Sequence, residues 1–138
     1  MSDYANTGSP EYVYWVEPTC ATGTPVDAPT VTKVEISTAT LWRAEFRIPP
    51  GNAGFTGIAL IDSGTCIVPF VDKGQAWLIG DDDLLEYNYG KMLGDNVYLV
   101  TYNTGDYDHS WQVRLIYTPQ SAVLVADYSV DIAPISLA

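Results

Sequence analysis

Apolar and polar positions alternate most clearly from Leu41 to Ile48. Trp42, Ala44, Phe46 and Ile48 fall on one side, and Arg43, Glu45 and Arg47 on the other. That period of two describes a strand with one buried and one wet face. Pro49-Pro50-Gly51-Asn52-Ala53-Gly54 ends it, because proline cannot donate to a ladder and glycine permits a sharp turn. A second apolar run, Gly57 to Ile61, reaches a turn at Asp62-Ser63-Gly64, and a third follows from Thr65 to Phe70. Ala76 to Ile79 reads as a short strand, with an acidic corner at Gly80 to Asp83.

The flanking segments extend the pattern. Glu11 to Val16 is a short aromatic strand, and Thr19 to Pro29 a loop punctuated by Gly23, Pro25 and Pro29. Val31 to Thr38 is β-branched and alternating; with only Ala39 and Thr40 before the next run, the two form a hairpin or one long bent strand. Leu84 to Tyr89 continues extended and Gly90 to Asn96 is a loop. Val97 to Asn103 is the clearest run of strand formers, followed by a polar loop, Thr104 to Asp108, whose Thr-Gly-Asp order suits a hairpin turn. Ser110 to Tyr117 places Trp111, Val113, Leu115 and Tyr117 on one face, and Val123 to Val130 is the last strand. Helix signals are scarce; Asp81 to Tyr89 merits a single turn at most.

Eight to ten short strands at regular spacing predict an all-β, antiparallel β-sandwich of jelly-roll-like type, or a barrel. At 138 residues the chain is a single domain, large enough to bury a core without staples. It divides into a flexible N-terminal arm (1–10), the sandwich (11–130) and an apolar C-terminal tail (131–138).

Charge narrows the function classes. Six Lys plus Arg stand against 17 Asp plus Glu, a net of -11. Such a chain has no positive footprint for phosphates, so neither nucleic acid nor an anionic membrane surface is an expected partner. No apolar run approaches the roughly 20 residues of a membrane-spanning helix. The start, Met1-Ser2-Asp3-Tyr4, has no basic or apolar leader, so no signal peptide and synthesis in a cytoplasm are expected. Cys20 and Cys66 sit among small or apolar residues and read as two buried thiols, although one disulfide is open to them.

Candidate chemistry is thin, and an enzyme is not expected. Asp81-Asp82-Asp83 could contribute to a Ca2+ site, since hard cations take carboxylate oxygens, but the spacing fits no EF-hand loop and a solvated turn with one capping Asp is the simpler reading. Asp106-Tyr107-Asp108-His109 holds the only histidine, flanked by acids but without the Ser or Cys motif of a triad. Trp42 and Trp111 fall in the inward register. Trp77, beside the acidic corner, is the tryptophan to test as exposed and as a ligand contact. In the tail, Ile132, Ile135 and Leu137 form an apolar strip that a neighbouring subunit could cover.

Arg47-Ile48-Pro49-Pro50-Gly51-Asn52-Ala53-Gly54, Pro69, Trp77-Leu78-Ile79-Gly80-Asp81-Asp82, and Tyr102-Asn103-Thr104-Gly105-Asp106 with His109 make a cadence of corners and loops. That cadence resembles small all-β accessory proteins of tailed bacteriophage virions, namely capsid decoration, head-fibre and adhesin-like modules. The resemblance implies a non-catalytic β-sandwich in the virion, a homo-oligomer with a trimer favoured, and a major capsid or tail protein as partner. It carries over no binding residue. A carbohydrate- or receptor-binding sandwich is the alternative.

Overall fold

The computed structural model describes residues 11–52 and 54–119. Ten strands form there: β1 (Tyr12–Val16), β2 (Thr19–Cys20), β3 (Thr30–Lys33), β4 (Ala39–Ile48), β5 (Thr56–Asp62), β6 (Thr65–Val68), β7 (Asp83–Leu93), β8 (Val97–Asn103), β9 (His109–Ser110) and β10 (Gln112–Pro119). One four-stranded sheet has the order β1-β10-β4-β7 and the other β3-β8-β5-β6, all pairs antiparallel; β2 and β9 make a two-residue ribbon. If the eight longer strands are counted off in chain order, the first sheet holds the first, eighth, third and sixth. The second holds the second, seventh, fourth and fifth. That interleaving is the double Greek key of a jelly roll, so the architecture is a sandwich and not a barrel.

The core lies between the sheets. Leu41, Ala44, Phe46 and Ile48 of β4, Ile58 and Leu60 of β5, Val97 and Leu99 of β8, and Trp111, Val113 and Leu115 pack into one buried cluster. The outer face of the second sheet is also covered over β5, β6 and β8, while Val31 on the β3 edge stays 61% exposed. Ala59, Ile61, Cys66 and Val100 form a second cluster under Val71, Ala76 and Trp77 of the β6–β7 connection. This explains why the β5 sequence reads as a continuous apolar run: both of its faces are buried. Tyr102 belongs to the same layer, edge-on to Trp77 with ring centroids 4.8 Å apart. Burial raises the Tyr102 phenol above its ordinary value, and burial followed by the neighbouring Tyr87 and Cys66 raises that of Tyr89.

Gly57 makes room for that ring. A Cβ there would lie 2.3 Å from Tyr102 Cε2. Alanine normally gains stability over glycine in a strand by restricting the unfolded chain; here it must displace a packed ring. Gly57→Ala is expected to destabilise by about 1–3 kcal/mol, read as a lower urea midpoint at constant slope. An unchanged or higher midpoint would show that the Tyr102 ring yields freely.

Several expectations need correction. The 31–38 and 41–48 runs form neither a hairpin nor one strand: β3 stops at Lys33, and the chain crosses to the other sheet through Thr38 at φ +52°. Val34 and Ile36 are nevertheless buried, as their alternation predicts. Gly90 to Leu93 is strand, not loop, and Ala76 to Ile79 forms only a bridge between Leu78 and Ile58. The 104–108 loop joins strands of different sheets and so is no hairpin turn. Trp42 is exposed, not inward. A bulge against β10, where Leu41 faces Tyr117 but Arg43 faces Ile116, inserts one residue and turns Trp42 outward between inward Leu41 and Ala44. The expected strand at Val123 to Val130, the arm 1–10 and the tail lie outside the described residues.

Candidate functional site

The outer face of the first sheet is where the charged positions of the alternation come together. Register pairs Trp15 with Arg114, Arg114 with Glu45, and Glu45 with Glu86 in one row across the four strands. The next row holds Gln112, Arg47 and Leu84. The row on the other side holds Val13, Ile116, Arg43 and Asn88. All three arginines of the chain therefore stand on this face.

Glu45 anchors it. The residue is only 7% exposed, although it points away from the core. Arg114 clamps its Oε1 with two nitrogens, Nε at 2.7 Å and Nη2 at 2.6 Å. Arg43 Nε lies 2.8 Å from Oε2, an ion pair without a directed hydrogen bond. A buried carboxylate needs such partners, and losing one of them would leave desolvated charge. The Arg114 guanidinium in turn lies over the Trp15 ring, 5.4 Å from its centroid. Trp15, 65% exposed, is therefore held on one face and open on the other. Shallow hollows of about 280, 190 and 190 Å³ adjoin one another here, sharing Trp15, Glu17, Arg47 and Gln112 in their walls.

The second candidate region is a crown of loops at one end of the sandwich. The β1–β3, β4–β5, β6–β7 and β8–β10 connections meet there. Asp81 Oδ1 accepts the backbone N–H groups of Gly51 at 2.7 Å and Asn52 at 3.0 Å. Asp82, at φ +56°, accepts from Arg47 Nη2 at 2.8 Å, and Asp83 Oδ2 accepts the Asp81 N–H at 3.2 Å. Each carboxylate of the acidic corner thus has a protein partner. Among the described residues, no group of three His, Cys, Asp or Glu side chains is placed to hold a metal ion.

Fully buried Asn103 ties the other loops together. Its Nδ2 donates to the Cys20 and Tyr107 carbonyls at 3.1 and 2.6 Å, while its Oδ1 accepts the Gly105 N–H at 2.9 Å. Thr22 N–H donates to Asp108 Oδ1 at 2.9 Å, and Thr104 N–H to the Phe55 carbonyl at 2.9 Å. Inside this frame is a cleft of about 170 Å³ lined by Gly51, Phe55, Thr104, Gly105, Asp106, Tyr107 and His109. His109 is half-buried on β9, and among the described residues no Ser or Cys lines its cleft.

Of the sequence-predicted site residues, Asp81, from the β6–β7 connection, and His109, from β9, both border Gly51 in the crown. Trp77 is half-buried against Tyr102 on the second sheet, not presented beside the acidic corner. Ile132, Ile135 and Leu137 lie outside the described residues. Trp15, Arg114, Phe55 and Tyr107 were not singled out. Cys20 and Cys66 are both buried free thiols.

No protein-family model matches the chain, and no curated protein matches it. Among solved structures it is similar to a chain of the cyanophage Pam1 capsid asymmetric unit, at TM-score 0.49 and 16% identity over 82% of this chain and 87% of that one. It is similar to FLHE at TM-score 0.45 and 12% identity, over 78% and 96% of the two chains. A chain of Bacillus endospore appendages, which form disulfide-linked pili, gives TM-score 0.44 and 12% identity over 79% and 87%. Likeness at this distance concerns chain topology alone, and the all-β antiparallel jelly roll stands on this chain's own strand order.

Proposed function

We propose that this chain is a non-enzymatic structural protein of a virion: an oligomeric decoration subunit on a phage capsid or tail, assembled through the outer face of the β1-β10-β4-β7 sheet. The observation that carries the reading is the contrast between the two sheets. One outer face is roofed over β5, β6 and β8 by the chain's own β6–β7 segment, which leaves the β3 edge open. The other stays open among the described residues and presents Trp15, Trp42, Leu84 and Met92 beside all three arginines. Trp, Arg and Met are the residues enriched at protein interfaces, where the acidic residues that dominate the rest of this chain are depleted. Jelly rolls recur in capsids, an analogy at the level of fold.

In this reading neighbouring copies cover the open face, with the apolar strip of Ile132, Ile135 and Leu137 adding to the contact. The acidic remainder of the surface faces solvent or a basic shell. Many modest contacts then act at once, so a weak single contact suffices on a particle. Light scattering behind a sizing column tests the first step. A trimer or larger closed ring is expected; a monomer up to about millimolar subunit, where even weak interfaces populate, would contradict self-assembly.

A further inference from the structure

We propose that the cleft in the loop crown is a binding site for a neutral saccharide ring, separate in location and chemistry from the assembly face. Its two outer walls are aromatic: Phe55 is 53% exposed and Tyr107 75% exposed. Large apolar rings left this open at the mouth of a concavity are available to stack on the C–H face of a pyranose. The polar groups around them suit hydroxyls. The Asp106 carboxylate accepts hydrogen bonds, His109 can donate or accept, and the Tyr107 and Thr104 hydroxyls do both. The volume, about 170 Å³, suits one ring and not an extended peptide.

The loops that carry these groups are fixed before any ligand arrives. Asn103 holds the 105 and 107 backbone, Asp108 pins the loop to Thr22, the Thr104 N–H and hydroxyl both donate to the Phe55 carbonyl, and Asp81 clamps the corner at Gly51. Thr22 Oγ1 also donates to the Gly105 carbonyl. Gly51, at φ +99°, lies against the imidazole: a Cβ there would sit 3.6 Å from His109 Cε1. Preorganisation of this kind lowers the ordering cost that otherwise cancels a small ligand's few contacts. Charge selects within the class. Asp106 and Asp108 on a chain of net -11 repel a carboxylated or sulfated sugar.

Amide-resolved NMR titration of the full chain tests the site. The probes are methyl glycosides of glucose, galactose and mannose and free N-acetylglucosamine, each to about 20 mM, with N-acetylneuraminic acid as the anionic comparison. At least one neutral sugar is expected to shift the amides of Gly51, Phe55 and residues 104–109, with a dissociation constant on the order of 1–10 mM. Tyr107→Ala and Phe55→Ala, both at exposed positions, should each weaken it roughly tenfold, with the rest of the spectrum unchanged. Trp15→Ala should leave it intact. No shift with any neutral sugar, shifts centred on Trp15, or equal affinity in Tyr107→Ala would overturn the proposal. A monomeric protein that still binds sugar would refute the assembly reading alone.

Discussion

Trp111→Ala is expected to cost about 3–5 kcal/mol, roughly a fifth or more of the stability of an ordinary domain. The indole is 1% exposed and is the largest fully buried side chain among the described residues. It stands at the step between β9, which pairs with β2, and β10, which pairs with β1 and β4, so its removal opens a cavity where the loop crown meets the core. Trp111→Phe separates volume from polarity. The indole Nε1 is buried with no hydrogen-bond partner among the described residues. A donor left unsatisfied costs about 1–3 kcal/mol, so losing it offsets part of the lost volume. Phenylalanine should therefore cost about 1 kcal/mol or less, well under a volume-only expectation. Chemical denaturation of both variants reads the two values. A phenylalanine variant as damaged as the alanine one would mean that the indole nitrogen is satisfied in solution.

Combining Trp15→Ala with Leu84→Ser should leave the fold standing and remove assembly. Both side chains are more than half exposed. The stability at risk is the Arg114–Trp15 stacking, about 0.5–1 kcal/mol at an exposed site. At an interface centre, truncating one anchoring aromatic costs 2 kcal/mol or more, a weakening of about thirtyfold at least. The expected result is an unfolding free energy lowered by no more than about 1 kcal/mol together with a shift to monomer in a sedimentation concentration series. Assembly that survives the double substitution would move the interface elsewhere.

The strands legible in the sequence were those whose pattern has one solution. β8 matches its expected bounds, Val97 to Asn103, and Trp111, just before β10, and Val113 and Leu115 within it all point inward as the alternation requires. Legibility failed where geometry is set by a partner strand. Trp42 followed the period of two on paper, but a bulge against β10 reverses it. Gly90 looked like a strand breaker, yet it lies in β7 under that same turned-out indole; a Cβ there would sit 3.5 Å from Trp42 Cζ3. Both features come from one irregularity, and neither residue alone announces it.

The candidate sites were less legible for the same reason. β1 is apolar in both registers, so nothing local distinguishes outward Trp15 from inward Tyr14 and Val16. Arg43, Glu45 and Arg47 were correctly placed on the wet face of β4, but the burial of Glu45 depends on Arg114, 69 residues away. The sequence offers one Asp of the 81–83 corner as a cap on the following turn, and nothing local singles out Asp81. Asp81 caps the Gly51 corner, 30 residues earlier in the chain, a partnership set by the jelly-roll ends meeting and not by local spacing.

Hydroxyl-radical footprinting across a dilution series tests the central claim most directly, because it reads which surface is covered when copies meet. On concentration, Trp15, Leu84 and Met92 are expected to lose reactivity, while Phe55 and Tyr107 of the crown keep theirs. Trp15, Leu84 and Met92 remaining fully reactive at concentrations where the protein is assembled would contradict an interface on the open sheet.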